Sequence, residues 1–299
     1  MGNRGSSFLL GLVLAVVFAG FAGAVDPAGG DQPPPLPPGL LGLDAGQAVA
    51  AIDGQTLRLS DGRAVRLAGI MAPRPPLGWQ AGKRWRRSVE AADALGAMAA
   101  DREILLYGRG KALGVDRHDR LLAQVTRDDG LWLQGALLAA GLVRVHTAAA
   151  DAEIATALYA AEHTARLAGR GIWADPYYEV RCASEMDNAT DAVRVVQGRI
   201  LAVADINGAL YLNFGADWRR DFTIRVERRD RRRLGWREKP LMLEGAELEG
   251  ALVEVRGWVY WFNGPAMDLD HGARLRLLAA DSPLAIPACY QGRARLLPE

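Results

Sequence analysis

The chain has 299 residues, half of them apolar, and 36 basic against 35 acidic side chains leave a formal net charge of +1. That supply of apolar residues suffices for one large core or two modest ones. A near-neutral balance excludes a global field that would declare a nucleic-acid or membrane partner, so any basic surface has to be local.

Residues 1–24 read as an export signal. Arg4 supplies a short positive segment, Phe8 to Phe21 is an almost unbroken apolar run, and Ala22-Gly23-Ala24 fits a small-x-small cleavage pattern before Val25. The same apolar length also permits an uncleaved membrane anchor. Small residues close the run and no basic stop-transfer cluster follows, which favours cleavage. The mature protein is therefore expected in the periplasm or secreted. Residues 25–44, with DQPPPLPPG near their centre, read as a proline-rich linker. Proline at this density fixes extended geometry and removes amide donors, which makes a stiff spacer.

From Gln47 to Ile70 the pattern alternates with period two: Leu57, Leu59, Val65 and Leu67 are separated by polar or charged neighbours. Asp61-Gly62 supplies the positive-φ turn of a tight hairpin. After the prolines at 73–76, Trp79 to Ala100 takes up helical spacing, with Trp85, Val89, Ala92, Leu95 and Ala99 on one face. Ile104–Tyr107 and Leu121–Val125 read as strands flanking a loop over Gly108–Gly114. Helices are expected over Leu133–Ala140 and Asp151–Leu167, stopped at Gly141 and near Gly169. The periodicity lapses over 176–189, which reads as a linker. Strands Val193–Ala204, Leu210–Phe214, Phe222–Val226 and Val253–Trp261 then form a second β-rich domain over 190–282, a small barrel or a sandwich, with 283–299 as a tail.

Cys182 and Cys289 are the two cysteines. In an oxidising compartment they could form one disulfide across the C-terminal half; two free buried thiols are the alternative. Two cysteines and four scattered histidines give no zinc-site spacing.

Three segments in series carry a family resemblance. DGQTLRLSDGRAVRLAGIMAP, then DRHDRLLAQV, then DGLWLQGALLAAGLVRV with the later ARLAGRGIW, resemble successive motifs of the staphylococcal nuclease, or thermonuclease-like, family. The resemblance covers about residues 45–175. It implies a mainly β fold with added α: a five-stranded OB-like barrel with helices packed around it, followed here by the second β-rich domain, itself OB-like in its strand pattern. In working relatives carboxylates hold calcium and one serves as general base, while two arginines stabilise charge on the phosphate. Calcium wants several oxygen ligands, and guanidinium forks match the oxygen pairs of a phosphate.

Carried over by position, the match is uneven. Arg66 and Arg120 fall on the two family arginines, so the phosphate-facing part persists. The three metal-side carboxylate positions fall on Gln55, Met71 and Arg74, none of them an acid. Asp53 is the remaining aspartate of the DGQT segment, and Asp119 replaces a family glycine beside Arg120. The expected site is therefore an anion pocket without metal or cofactor. Arg66 and Arg120 are its phosphate-binding remnants, and Arg74, Asp53, Gln55, Thr56 and His118 are further substrate-binding candidates. Calcium belongs only to the alternative in which the domain still cleaves.

In the second domain, ten basic residues against four acidic ones lie between Arg219 and Lys239, with Tyr211, Phe214, Trp218 and Trp236 interleaved nearby. Arginine with exposed aromatics is what a single-strand platform requires; a solvated basic loop beside core tryptophans is the plainer reading. Three functions follow: an exported, catalytically impaired nuclease homologue binding nucleic acid or another polyanion, a calcium-dependent phosphodiesterase, and an envelope interaction protein using the fold as scaffold. Loss of the carboxylates favours the first.

Overall fold

The computed structural model describes residues 33–80, 82–186, 191–217, 219–231, 234, 242–243 and 246–291, and the export signal expected over 1–24 lies outside them. Alternating residues build the first sheet. β1 (Leu41–Asp53), β2 (Thr56–Leu59) and β3 (Ala64–Leu67) form a meander, with a short β4 (Ile70–Met71) beyond it. Leu57, Leu59, Val65 and Leu67 turn inward, each at most 1% exposed. After helix α1 (Arg86–Ala99) come β5 (Arg102–Gly108), β6 (Gly114–Val115) and β7 (Leu121–Arg127). β7 pairs antiparallel with β5 and parallel with β3, which closes the five strands β1-β2-β3-β7-β5 into a barrel.

Helices α1, α2 (Leu133–Ala139) and α3 (Ala155–Leu167) pack on this barrel, and the short β8 (Arg144–Val145) pairs with β4. The core face of α1 is Ala91, Leu95 and Ala99, one residue offset from the alanine expected there. Its close approach requires Gly54, where a Cβ would lie 2.5 Å from that of Ala91. A 3₁₀ turn, Ala149–Ile154, precedes α3, so the expected helix starts later than Asp151.

The proline-rich segment departs from the expectation of a stiff spacer outside the core. Pro37 is buried and Leu36 and Leu40 pack against the barrel core.

The second sheet has the same plan. β9 (Arg181–Cys182) leads to β10 (Ala192–Arg199) and β11 (Ala202–Ile206), which are parted only by Ile200 and Leu201. β12 (Ala209–Asn213), β13 (Thr223–Val226), α4 (Arg228–Arg231), the pair β14 (Met242–Leu243) and β15 (Ala246–Glu247), β16 (Leu252–Trp261), β17 (Pro265–Asp268) and β18 (Leu275–Leu277) follow. The order is β11-β12-β13-β17-β16-β10, with β13 and β17 parallel and the other neighbours antiparallel. Taking β10 and β11 as one bent strand reproduces the order of the first barrel, parallel closure included. A second core, with Val196, Leu212, Phe222, Ile224, Val255 and Met267 among its members, fills it.

The segments expected as linker and tail are structured where described. Tyr178, Cys182 and Met186 are buried, and Leu284 is 7% exposed. Cys182 and Cys289 form a disulfide spanning 107 residues, and helix α5 (Ala288–Gln291) lies against β9 and β10. From Pro33 on, the described residues cluster as one compact unit. None of the helices among the described residues is long and apolar enough to cross a membrane.

A buried ionic network joins the two barrels. Arg256 of β16 donates to both carboxylate oxygens of Glu162 on α3 (2.9 and 2.6 Å) and to Glu254 (2.9 Å). Arg166 of α3 pairs with the other oxygen of Glu254 at 2.6 Å, and Gln197 Nε2 donates to it at 2.9 Å. Desolvation acts to raise the Glu254 carboxyl, but Arg256 and Arg166 outweigh it and hold the group down at about 2.

Candidate anion-binding cleft

One cleft of about 780 Å³ opens on the first barrel, between β3, the β6–β7 turn and the segment after β8. Arg66 enters it because its neighbours Val65 and Leu67 point into the barrel, leaving the intervening side chain on the outer face. The Arg66 guanidinium is half-buried and makes no hydrogen bond or ion pair with any described residue. Desolvation lowers its pKa, and the positive charges of Arg120 and Arg74 add to that.

Arg120 also lines the cleft but is held differently. Its Nε and Nη2 donate to Asp116 Oδ2 at 2.9 and 2.6 Å. The other oxygen of Asp116 accepts from the amides of His118 and Arg120. Although burial pushes the Asp116 carboxyl upward, these bonds hold it well below the usual carboxylate range. Asp119 closes the turn with φ of +62°, which explains an aspartate where the family has glycine: a short polar side chain tolerates the left-handed region. His118 and exposed Arg74 also line the cleft wall.

Asp53, Gln55 and Thr56, expected at the binding surface, are not among the residues that line the cleft. Asp53 accepts from the Gln55 amide at 2.8 Å and so shapes its own turn. Gln55 is 1% exposed, and its Oε1 accepts from the Ala72 amide at 2.7 Å. Thr56 is fully buried, with its hydroxyl unpartnered among the described residues. Gln55 thus fastens the turn that carries Met71 and Arg74 to the end of β1.

Behind Met71 stands a cation that sequence reasoning missed. β4 pairs with β8 so that Met71 faces Arg144, whose Nη2 lies 3.8 Å from the Met71 sulfur. Arg144 is 8% exposed, packs over the Tyr178 ring at 5.5 Å, and has no carboxylate partner among the described residues. Burial brings its pKa down to about 10. The site therefore does not fit calcium. Its amide oxygen is occupied, its sulfur is soft, Arg144 and Arg74 are cations, and no three His, Cys, Asp or Glu side chains cluster among the described residues.

Two further cleft residues come from the alanine-rich stretch after β8. His146 has a buried Nδ1 without a hydrogen-bond partner among the described residues, and desolvation together with Arg274, Arg144 and Arg66 brings it down to about 3, so it is neutral. Asp151 is 8% exposed and accepts from the Ala148 amide at 2.7 Å; burial raises its pKa, while His271, Arg66 and Arg274 work the other way. The cleft is thus not acid-free, as the positional match alone implied. No periodicity or motif marks Asp151 or His146.

The last wall is contributed by Arg274 of the second barrel. A model of the family described as staphylococcal nuclease homologue matches residues 64–175. The first barrel is a staphylococcal nuclease-like domain. The match begins at β3, and β1 and β2, which complete the nuclease-like barrel, precede it. No curated protein matches the chain.

In the basic segment of the second barrel, several of the described residues are committed elsewhere. Phe214 belongs to the core. Arg225 pairs with Glu227, Arg229 with Glu227 and Asp230, and Arg231 with Asp205. Trp218, Trp236, Arg232, Arg233, Arg237 and Lys239 lie outside the described residues. On β16, Trp258 and Trp261 are exposed, while Tyr260 is half-buried and donates to Asp268 at 2.7 Å.

Proposed function

We propose that this is an exported protein that grips the phosphodiester backbone of nucleic acid, or a polyanion of like charge spacing, in the arginine-lined cleft and does so without a divalent cation. The observation that carries the reading is Arg66. A half-buried guanidinium without a carboxylate partner is desolvated at a cost, and a bound phosphate offsets that cost through charge-assisted, bidentate hydrogen bonds. The nuclease-like domain supports a nuclease-related role. The signal-like start and the disulfide support export, since disulfides persist in oxidising compartments.

A second reading, a calcium-dependent phosphodiesterase, draws support from Asp116 and Asp151 in the cleft. Asp116 is committed to Arg120, and Asp151 is buried among arginines, so neither offers the open oxygen cluster that calcium takes. An envelope scaffold gives no reason for an unpaired Arg66.

The test is a cleavage assay on single-stranded DNA with and without calcium, beside a binding titration over a range of salt. Binding is expected to weaken with salt as phosphate contacts release counterions, and Arg66→Gln is expected to reduce affinity about tenfold, the scale of a charged hydrogen bond. Robust calcium-dependent cleavage lost on Arg66→Gln establishes the enzyme instead. Absence of any salt dependence removes the polyanion reading.

A further inference from the structure

We infer that the second barrel completes the anion site of the first, with Arg274 as its contact to the phosphate backbone; this rests on reading the cleft as a polyanion site. The segment that delivers Arg274 is docked on the nuclease-like domain from several sides. His271, 3% exposed, meets the Thr147 hydroxyl through Nε2 at 3.1 Å. Tyr159 Oη donates to the Ala273 carbonyl at 2.8 Å, and Ala273 packs against the first core. The turn Gly272–Arg274 lies against the turn Ala149–Ile154 that carries Asp151.

Arg274 is anchored along one edge only. Its Nε donates to the Thr147 carbonyl at 3.0 Å, and Nη1 lies 3.2 Å from Asp270 Oδ1. That carboxylate oxygen is shared with His271 Nδ1 at 2.7 Å. Nη2 makes no hydrogen bond among the described residues, and the side chain, 19% exposed, lines the same cleft as Arg66. A guanidinium carries five N–H donors in a planar fork, so anchoring through Nε and one Nη1 proton leaves donors available for a phosphate. Its charge reaches the cleft interior, since it is the largest single charge acting on His146.

Among the described residues the second barrel shows no equivalent site of its own. Arg225 on β13 occupies the place that Arg66 holds on β3, each paired with the preceding strand and with the parallel closing strand. Arg225 is matched by Glu227 and Asp268. The second barrel thus neutralises its own arginine and lends another to its neighbour. The partner suited to this arrangement is a single strand of nucleic acid, whose repeated phosphates can meet Arg66 and Arg274 together.

The test is fluorescence anisotropy of a labelled oligothymidylate titrated with the full chain at several salt concentrations, using Arg274→Gln, Asp270→Asn and Arg66→Gln. Arg274→Gln is expected to weaken binding about tenfold and to lower the slope of log affinity against log salt by about 0.7, one single-strand phosphate contact. Asp270→Asn, which removes the carboxylate competing for Arg274, is expected to tighten binding severalfold. Loosened docking of the barrels cannot produce that opposite sign, and the gain is expected to vanish in Asp270→Asn combined with Arg274→Gln; a gain that persists there reports only the removed negative charge and overturns the inference. Wild-type affinity and slope in Arg274→Gln, with both reduced in Arg66→Gln, overturn the inference and leave the polyanion reading standing. Weakened or unchanged binding in Asp270→Asn also overturns it, reducing Arg274 to a structural tie. Absence of salt-dependent binding by the wild-type chain removes the reading and the inference together.

Discussion

His146 illustrates how the cleft sets the charge of one residue. Its imidazole is largely desolvated and faces Arg274, Arg144 and Arg66, so a proton on it would add a fourth positive charge. The folded-state value of about 3 lies below the ordinary value of 6.5, so the unfolded chain binds more protons between those limits. Its contribution to stability is fully present above about pH 6.5 and is lost as pH falls toward 3, at no more than about 1.4 kcal/mol per pH unit. Asp151 acts in the opposite direction, because burial raises its pKa and protonation relieves the cost of its charge. Replacing His146 by Gln removes only the first of these terms. Chemical denaturation at a series of pH values should therefore show a flatter acid limb for His146→Gln than for wild type. Parallel limbs would mean that His146 titrates near its ordinary value and that the arginines around it do not govern the cleft. A neutral imidazole also suits an anion site, since it can donate or accept without adding to the repulsion among the arginines.

At the level of strands, β3 and β13 show the same placement with opposite electrostatic outcomes. Arg66 and Arg225 occupy matching positions, but among the described residues only Arg225 is ion-paired, to Glu227 and Asp268, while Asp116 and Asp53 act on Arg66 from beyond ion-pair distance. Arg225→Gln is accordingly expected to change oligonucleotide affinity and salt slope by less than about twofold, the modest effect of losing an already paired, half-exposed charge. A loss as large as that of Arg66→Gln would mean that strands also bind the second barrel. What made β3 readable in the sequence was local: alternation, the Asp61-Gly62 turn, and motif order. The helices were readable for the same reason, although α1 begins at Arg86, two turns after the expected Trp79, and buries Ala91 where Ala92 was expected. Arg66 and Arg120 could be placed because each sits inside a contiguous motif. Gln55 was assigned to the surface because alternation gives a face but not the hydrogen bond to Ala72 that pulls its amide inward. Arg144 was missed because its meaning depends on β4 pairing with β8, a contact between segments far apart in the chain. Arg274 was invisible for a stronger reason, since it joins the site only through the packing of two barrels. The second barrel was legible as β-rich, but its strand order was hidden by the break at Ile200-Leu201 and by the parallel pairing of β13 with β17.

Across the whole molecule, the two barrels are coupled through charge as much as through apolar contact. Arg256 and Glu254 from one barrel and Glu162 and Arg166 from the other are buried together, and the guanidiniums of Arg256 (4.8 Å) and Arg276 (4.1 Å) both lie over the Tyr159 ring. Such a network offers little net stability over an apolar core, yet breaking it by removing one member is expensive, because the remaining charges stay buried without a partner. Arg256→Met leaves Glu162 buried without its cation, while Glu254 keeps Arg166. The expected cost is about 3–5 kcal/mol, falling on the contact between barrels more than on either core. Each barrel has its own apolar cluster, so weakening the interface should also change the form of unfolding. Wild type should unfold in one calorimetric transition, as expected of one compact unit, and Arg256→Met should give two, the earlier at reduced temperature. Oligonucleotide binding should then stabilise both transitions in wild type but lose much of its effect in the variant, because a ligand that spans Arg66 and Arg274 stabilises only the docked form. If Arg256→Met melts in one transition at the wild-type temperature, the ionic network does not hold the barrels together, and apolar packing with the disulfide suffices.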